Sequence, residues 1–312
     1  MGDTQCFSWM ILLFPLLCLL NTIELNGSNN IVNIEMSSSI PKILHYAWMG
    51  GNPKPPEVVK CIESWFTYCK DWLIVEWNDF ALKGLNNTYI SEAYSFKKWA
   101  FVADYIRLYA LVHYGGVYVD ADVELLEPID AFLNASFFIG RENWFGNINF
   151  GPHLMGAVPH NKILSDILSQ YRNEHFLKPD GTPNYYVLPK RFKRYFRKNF
   201  GIDPRLADNE TTIFTKNSYI FPWWYFCTVK PGEKAWAVHH FHGSWTGKKS
   251  SKNETIVIDK RKDESSFRKR IEILRKKVDG RMGEMGIFGM GMVSAYVLER
   301  VRRRKRRGTH TL

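Results

Sequence analysis

The alternation of apolar segments and polar breaks predicts a strand–helix–strand order at the start of the globular region. An apolar run over 42–48 predicts a first strand, and residues 56–69 carry apolar side chains at helical spacing behind a proline. A second strand is predicted over 72–77. Because the connections are short, this unit predicts an α/β fold with a parallel pairing at its start.

A longer helix over 95–113 leads into the stretch that organises the chemistry. It ends at Gly115-Gly116, and a short apolar strand over 117–119 then delivers Asp120 and Asp122. Glycine is favoured just past a helix because it takes positive φ without steric cost. Ligands of open α/β sheets bind where strands end at their carboxyl side. Two carboxylates there suit a hard divalent cation, although Asp-x-Asp by itself is common in solvated turns.

The later elements are less regular. An aromatic, glycine-rich strand and loop is predicted over 144–156, and 179–209 is predicted to be an irregular basic insertion. The remaining expected elements are strands over 137–140, 219–226 and 235–241 and a helix over 161–171.

Charge divides the chain into a neutral body and a basic tail. The net charge is +11, but residues 247–312 carry 20 Lys/Arg and 8 Asp/Glu, which leaves 22 and 23 in the residues before them. The tail includes a basic amphipathic stretch over 264–278, for which contact with anionic lipid is the preferred interpretation. A solvated tail and a nucleic-acid contact are the alternatives, and the neutral body disfavours the second.

The amino terminus is separate from the fold. Residues 7–20 form a predominantly apolar run of 14 residues, shorter than the roughly 20 that span a bilayer as a helix. We therefore expect a targeting or anchor segment with a polar linker over 1–39, a catalytic domain over 40–246 and a tail over 247–312. Membrane association follows, in a secretory lumen or on the cytoplasmic face of a bacterial inner membrane. The five cysteines show no metal-binding spacing and are expected to be free thiols, with a Cys61–Cys69 bridge as the alternative.

Four blocks of sequence together resemble glycosyltransferase family 32, the Asp-x-Asp sugar-binding group. They begin at Ile40 (IPKILHY), Lys98 (KWAFVADYIR), Tyr114 (YGGVYVDAD) and Val238 (VHHFHGSW). The resemblance spans about 40–245 and implies an α/β, GT-A-type, Rossmann-like nucleotide-binding fold with a mostly parallel sheet flanked by helices. It also implies a nucleotide-sugar donor, either a UDP- or a GDP-hexose, and a glycan or other hydroxyl acceptor. A Mn²⁺ (or Mg²⁺) cofactor and transfer with retention of configuration are implied as well.

The same resemblance implies roles for individual residues. Asp122 would ligate the metal, and Asp120 would be shared between metal and sugar. Asp104 and Arg107 would hydrogen-bond the donor sugar, and Trp48 could stack on the base. An ordinary intrahelical ion pair for the first two and a core position for Trp48 are the structural alternatives.

Further donor or metal residues come from the other blocks. His240 is the first choice as an additional metal ligand and His239 the second, with a hydrogen-bonded core histidine as the alternative. Tyr118 is assigned to the donor site or to the core, and Asn149 to the donor site. Ser244 and Trp245 are expected to close over the pyrophosphate.

Two other classes of function stay open at this point. One is a binding module that holds a nucleotide sugar or glycan without turnover, against which the intact aspartate pair argues. The other is a nucleic-acid-associated protein acting through its basic tail.

Overall fold

A computed structural model describes residues 39–242. The expected amino-terminal segment, the basic tail, Ser244 and Trp245 lie outside the described residues. Within 39–242, no helix has the length and apolar character needed to cross a bilayer.

Nine strands and seven α-helices lie within this region. The strands are β1 (Ile43–Ala47), β2 (Leu73–Trp77), β3 (Gly116–Val119), β4 (Val123–Leu125), β5 (Phe137–Trp144), β6 (Asn147–Ala157), β7 (Thr212–Thr215), β8 (Ser218–Phe221) and β9 (Ala237–His239). The helices are α1 (Pro56–Tyr68), α2 (Asp79–Leu82), α3 (Thr88–Ser95), α4 (Trp99–Tyr114), α5 (Lys162–Ser169), α6 (Leu188–Phe200) and α7 (Trp223–Phe226).

Seven strands form one mixed sheet in the order β2-β1-β3-β6-β5-β8-β7. The pairings β1–β2, β1–β3 and β5–β8 are parallel, which confirms the predicted α/β class and the parallel start. The pairings of β6 with β3 and β5 and of β7 with β8 are antiparallel. A tight turn joins β5 directly to β6, and a connection that short requires antiparallel strands. β4 and β9 form a separate two-stranded ribbon.

Strand β3 lies in the interior of the sheet, with one hydrophobic cluster on each face. Val117 and Val119 belong to the cluster that contains Trp65 of α1. Tyr118 belongs to the other cluster, which contains Ile106 of α4. Alternate side chains of a strand point to opposite faces, so this short strand is held rigidly from both sides.

Two glycines permit the sharp turn from α4 into β3. Gly115 and Gly116 have φ values of +65° and +99°. A Cβ atom on Gly116 would lie 2.4 Å from the carbonyl oxygen of Ile43 on β1. The turn therefore needs glycine both for its backbone conformation and for the close approach of β1.

The structure corrects the interpretation of 179–209 as irregular. This region contains α6, a helix of 13 residues that follows Val187 and is capped by Gly201 in the left-handed conformation. Its apolar stripe of Leu188, Phe192 and Phe196 is buried, but the cationic residues between them obscured that spacing.

Other boundaries also shift. The helix predicted over 95–113 begins at Trp99, because Lys97 has a φ of +54° and separates it from α3. The strand predicted over 219–226 stops at Phe221, and α7 follows it. Cys61, Cys69 and Cys227 are buried free thiols, as expected, and burial raises their pKa to about 12.

Candidate active site

The two aspartates of the Asp-x-Asp motif lie on a tight connection between β3 and β4. The backbone N–H of Asp120 donates to the carbonyl oxygen of His153 on β6 at 2.8 Å, and the carbonyl of Asp120 accepts from Val123 at 3.0 Å. The carbonyl of Asp122 accepts from His240 at 3.0 Å. The backbone of both aspartates is thus held in place by hydrogen bonds to neighbouring segments.

Arg107 of α4 connects its own helix to this turn. Its guanidinium lies 3.3 Å from Asp104 and 3.0 Å from Asp120, and it donates to the carbonyl oxygen of Pro152 at 2.7 Å. The same group lies 4.8 Å from the centre of the Tyr118 ring. Asp104 and Arg107 therefore do form an i,i+3 ion pair. Arg107, which is almost fully buried, also binds Asp120, the first aspartate of the motif.

Asp104 is buried beneath this network. Its Oδ2 accepts a hydrogen bond of 3.1 Å from the backbone N–H of Leu188, the first residue of α6. Burial raises the pKa of Asp104 to about 6, and the positive charge of Arg107 offsets only part of that shift. Asp104 thus joins the start of α6 to the site.

Asp122 and His239 form a close pair. Oδ1 of Asp122 lies 3.3 Å from Nε2 of His239, and Oδ2 accepts from the backbone N–H of His242 at 3.0 Å. Burial acts to raise the pKa of Asp122, but the hydrogen bond and charge of His239 outweigh it and hold that pKa well below its usual value. Burial likewise acts to lower the pKa of His239, and Asp122 outweighs it and raises that pKa.

Asp120, Asp122 and His239 each offer a potential ligand atom, and these atoms lie within 4.8 Å of one another. His240, the first choice from the sequence, instead places Nε2 2.9 Å from the carboxylate of Glu124. β9 pairs with β4 in a register that sets His239 opposite Val123, beside the motif. His240 is the residue after β9, and it is not part of the group formed by the two aspartates and His239.

Two residues near the site were not singled out from the sequence. His153 of β6 lies with its ring 4.5 Å from that of His239, and its Nδ1 is 3.4 Å from Oε2 of Glu142 on β5. Nε2 of His153 lies 3.1 Å from the carbonyl oxygen of Phe226, so this nitrogen carries the proton. Glu142, His153 and His239 form a second group of potential ligand atoms. The sequence signal that could have identified them is the presence of a carboxylate, Glu142, and an imidazole, His153, in strands that are otherwise largely apolar.

The remaining predicted residues occupy different environments. Tyr118 is buried beneath Arg107, and Asn149 is half-buried on β6 opposite Glu142. Trp48 follows β1 and donates its indole N–H to the carbonyl oxygen of Asn52 at 2.8 Å. Because β1 and β3 are parallel neighbours, Trp48 and the aspartate pair lie at the same edge of the sheet.

Comparison with known proteins agrees with the motif. The family model described as a glycosyltransferase sugar-binding region containing the DXD motif matches residues 55–139. That segment runs from α1 to the start of β5 and includes Arg107 and both aspartates of the motif. The resemblance to glycosyltransferase family 32 is therefore confirmed.

Two fungal relatives are similar in sequence. A mannosyl phosphorylinositol ceramide synthase of Saccharomyces cerevisiae is 26% identical over 170 residues, covering 52% of this chain and 41% of the relative. Inositol phosphoceramide mannosyltransferase 1 of Schizosaccharomyces pombe is 28% identical over 158 residues, covering 45% and 46%. The chain thus spans less than half the length of these curated relatives.

Two solved structures are remotely similar. One is a glycosyltransferase involved in the glycosylation of the major capsid of PBCV-1, with a TM-score of 0.39, 16% identity and coverage of 66% of this chain and 96% of that one. The other is the PaToxG glycosyltransferase, with a TM-score of 0.36, 17% identity and coverage of 52% and 71%. Likenesses this remote indicate neither substrate nor mechanism.

Proposed function

We propose that this protein is a metal-dependent, retaining glycosyltransferase that moves a hexose from a nucleotide sugar to a hydroxyl acceptor. The observation that carries the proposal is the convergence of Asp120, Asp122 and His239 at the edge of the sheet where β3 ends. Open α/β sheets bind ligands at this edge, and the confirmed family resemblance implies a nucleotide-sugar donor.

The residues present fit a divalent cation such as Mn²⁺ or Mg²⁺. Carboxylate oxygens are preferred ligands of both, and the lowered pKa of Asp122 keeps its carboxylate ionised. His239 places its Nε2 3.3 Å from Oδ1 of Asp122, so this nitrogen is positioned to share a cation with that carboxylate. A bound cation would stabilise the negative charge that develops on the diphosphate leaving group.

The residues around the proposed metal site would bind the cation or hold its ligands in position. Asp122 and His239 are proposed metal ligands, and Asp120 is proposed to serve metal and sugar. Arg107 is proposed to set the position of Asp120, because its guanidinium is committed to two carboxylates and a carbonyl oxygen. Asp104, which holds Arg107 in turn, would reach a donor sugar only through the small part of its surface that stays exposed. No side chain is nominated as a nucleophile.

The names of the fungal relatives suggest a donor and an acceptor to examine first. Those relatives are named for mannosyl transfer to inositol phosphoceramide. We therefore propose GDP-mannose as the first donor to assay and a phosphoinositol-bearing sphingolipid as the first acceptor. A lipid acceptor would require the protein to act at a membrane surface.

Hydrolysis of a panel of UDP- and GDP-hexoses by the full chain, with and without Mn²⁺, tests this proposal. We expect Mn²⁺-dependent release of sugar from one donor, and we expect Asp122→Asn to lower kcat by about 10²–10³-fold, the usual effect of removing a group that stabilises the transition state. Asp180→Asn, in an exposed turn, is the matched control and should retain full activity. Equal turnover by Asp122→Asn and wild type would contradict the metal assignment, and donor binding without turnover would favour a binding module.

A further inference from the structure

Helix α6 presents a face made almost entirely of cationic side chains. Five of them, Lys190, Lys193, Arg194, Arg197 and Lys198, line one surface cavity of about 380 Å³. The helix sequence, LPKRFKRYFRKNF, has six cations and no acidic residue. The 22 Lys/Arg of the chain before the basic tail include these six, so the residues outside α6 have 16 Lys/Arg against 23 Asp/Glu and are net acidic, and the positive charge of this region is concentrated on α6.

Three of the six cations have an acidic partner within the fold, and one of these, Arg191, is buried and pairs with Glu174 at 2.7 Å. Asp203 lies 2.5 Å from Arg197 and 3.9 Å from Lys193, but it is also paired with Arg205 at 2.9 Å. One carboxylate is therefore shared among several cations. Among the described residues, no acidic side chain forms an ion pair with Lys190, Arg194 or Lys198, and all three are exposed.

The spacing of these cationic residues destabilises the helix itself. Lys190, Arg194 and Lys198 follow one another at i,i+4 and so lie on the same face. Like charges at this spacing destabilise a helix, and fold stability alone would favour acidic residues at some of these positions. The buried stripe of Leu188, Phe192 and Phe196 orients the cations outward.

The cationic face is tied directly to the candidate active site. The first residue of α6, Leu188, donates its backbone N–H to Asp104, and Asp104 is paired with Arg107. Any surface that α6 contacts is therefore held at a fixed orientation relative to the aspartate motif. This is a different segment from the carboxyl-terminal tail.

We propose that the cationic face of α6 binds the phosphate-bearing headgroups of an anionic membrane and so fixes the active site against the lipid surface. Each Lys or Arg close to an anionic leaflet contributes about a fivefold gain in binding. The exposed cations give a face that complements several headgroups at once, and the cavity they line offers space for a phosphate group. The proposal rests on charge and geometry and does not depend on transfer activity.

Lysine acetylation of the full chain tests whether the cationic face of α6 contacts an anionic membrane. An amine-reactive reagent labels the lysines, and mass spectrometry reads the extent of labelling at each one. The protein is labelled alone, with inorganic phosphate, with phosphatidylcholine vesicles, and with vesicles of phosphatidylcholine and phosphatidylinositol. We expect Lys190 and Lys198 to lose reactivity several-fold only with the anionic vesicles. Lys83 and Lys216, exposed on other elements, are internal controls and should keep their reactivity.

Charge reversal supplies the second measurement. The triple variant Lys190→Glu, Arg194→Glu, Lys198→Glu should bind anionic vesicles at least about tenfold more weakly than wild type, whereas Lys70→Glu, Lys83→Glu, Lys216→Glu carries the same change in charge and should bind within about twofold. Neither set touches the proposed donor site, so donor hydrolysis without lipid should be unchanged in both.

Three outcomes would overturn the proposal. The first is an absence of protection of Lys190 and Lys198 on anionic vesicles. The second is equal loss of vesicle binding in the two triple variants, which would indicate an effect of net charge alone. The third is equal protection by inorganic phosphate in solution, which would assign the face to a soluble anion.

Discussion

Arg107 offers the sharpest test of how the site is held together. The substitution Arg107→Gln removes the only cation that lies between Asp104 and Asp120 among the described residues, and leaves both carboxylates facing each other in a largely buried position. Removing one partner of a buried ion pair costs about 3–5 kcal/mol. We expect the lower end, about 3 kcal/mol, because the side chain of Asp120 is 24% exposed and can be partly hydrated.

Urea unfolding measures this loss as a change in the free energy of unfolding. The matched control is Lys162→Gln, which breaks an i,i+4 pair with Asp166 whose lysine side chain is 84% exposed, and it should cost less than about 0.5 kcal/mol. Adding Asp104→Asn to Arg107→Gln should restore at least about 1 kcal/mol, since the unpaired buried charge is then gone.

The effect of pH gives an independent check on the cause. The pKa of Asp104 is already raised to about 6 with Arg107 present, and losing that cation raises it further. A carboxyl with a raised pKa in the folded state contributes stability below its unfolded pKa of 3.8, and that stability is lost as pH rises through the folded value. Arg107→Gln should therefore be less destabilising at acidic pH than at alkaline pH. A loss no greater than that of the control, or one that does not change with pH, would refute the ion-pair account.

Two further predictions concern the supporting structure. His45 is buried and accepts a hydrogen bond at Nδ1 from the Trp77 indole at 3.2 Å, and burial lowers its pKa to about 4. The imidazole of His45 should stay neutral in NMR titrations until well below pH 6.5. Because the unfolded chain takes up this proton first, His45 should lower the free energy of unfolding as pH falls from 6.5 towards 4. A protonated His45 at pH 6 would contradict this prediction. Gly116→Ala should destabilise the fold by more than about 2 kcal/mol, because its Cβ would lie 2.4 Å from the Ile43 carbonyl oxygen. Gly146→Ala has a comparable φ of +84° but open space around it, and should cost only about 1 kcal/mol; equal losses in urea unfolding would show that the clash is not what matters.

The sequence predicted those features that depend on neighbouring residues. The α4–β3 turn, the placement of Asp120 and Asp122 after a buried strand, and the parallel pairing of β1 with β2 all follow from local spacing and turn chemistry. Local pattern also placed Asp104 and Arg107 on one face of a helix.

The features that were missed depend on pairings between distant segments. Whether His239 or His240 approaches the motif is decided by the register of β9 on β4, and nothing within the histidine cluster encodes that register. Glu142 and His153 meet only because β5 and β6 form a hairpin whose register shifts at Ile139/Gly140. The helical spacing of α6 was present in the sequence, but its six cations favoured an exposed, irregular interpretation.

Whether His239 or His240 binds the metal also determines how metal affinity should depend on pH. His239 is paired with Asp122 in a way that raises its pKa, so a cation must displace a proton to use that nitrogen. Metal affinity through His239 should therefore weaken as pH falls, whereas His240, paired with Glu124 outside the cluster, should contribute little.

Mn²⁺ binding to the full chain, followed by the EPR signal of the free ion in the presence of UDP or GDP, tests the central claim most directly. We expect His239→Gln to weaken Mn²⁺ binding by at least about tenfold and His240→Gln to change it by less than about twofold, as befits a ligand and a residue outside the ligand set. Undiminished Mn²⁺ binding in His239→Gln, or a larger loss in His240→Gln, would contradict the site formed by Asp120, Asp122 and His239.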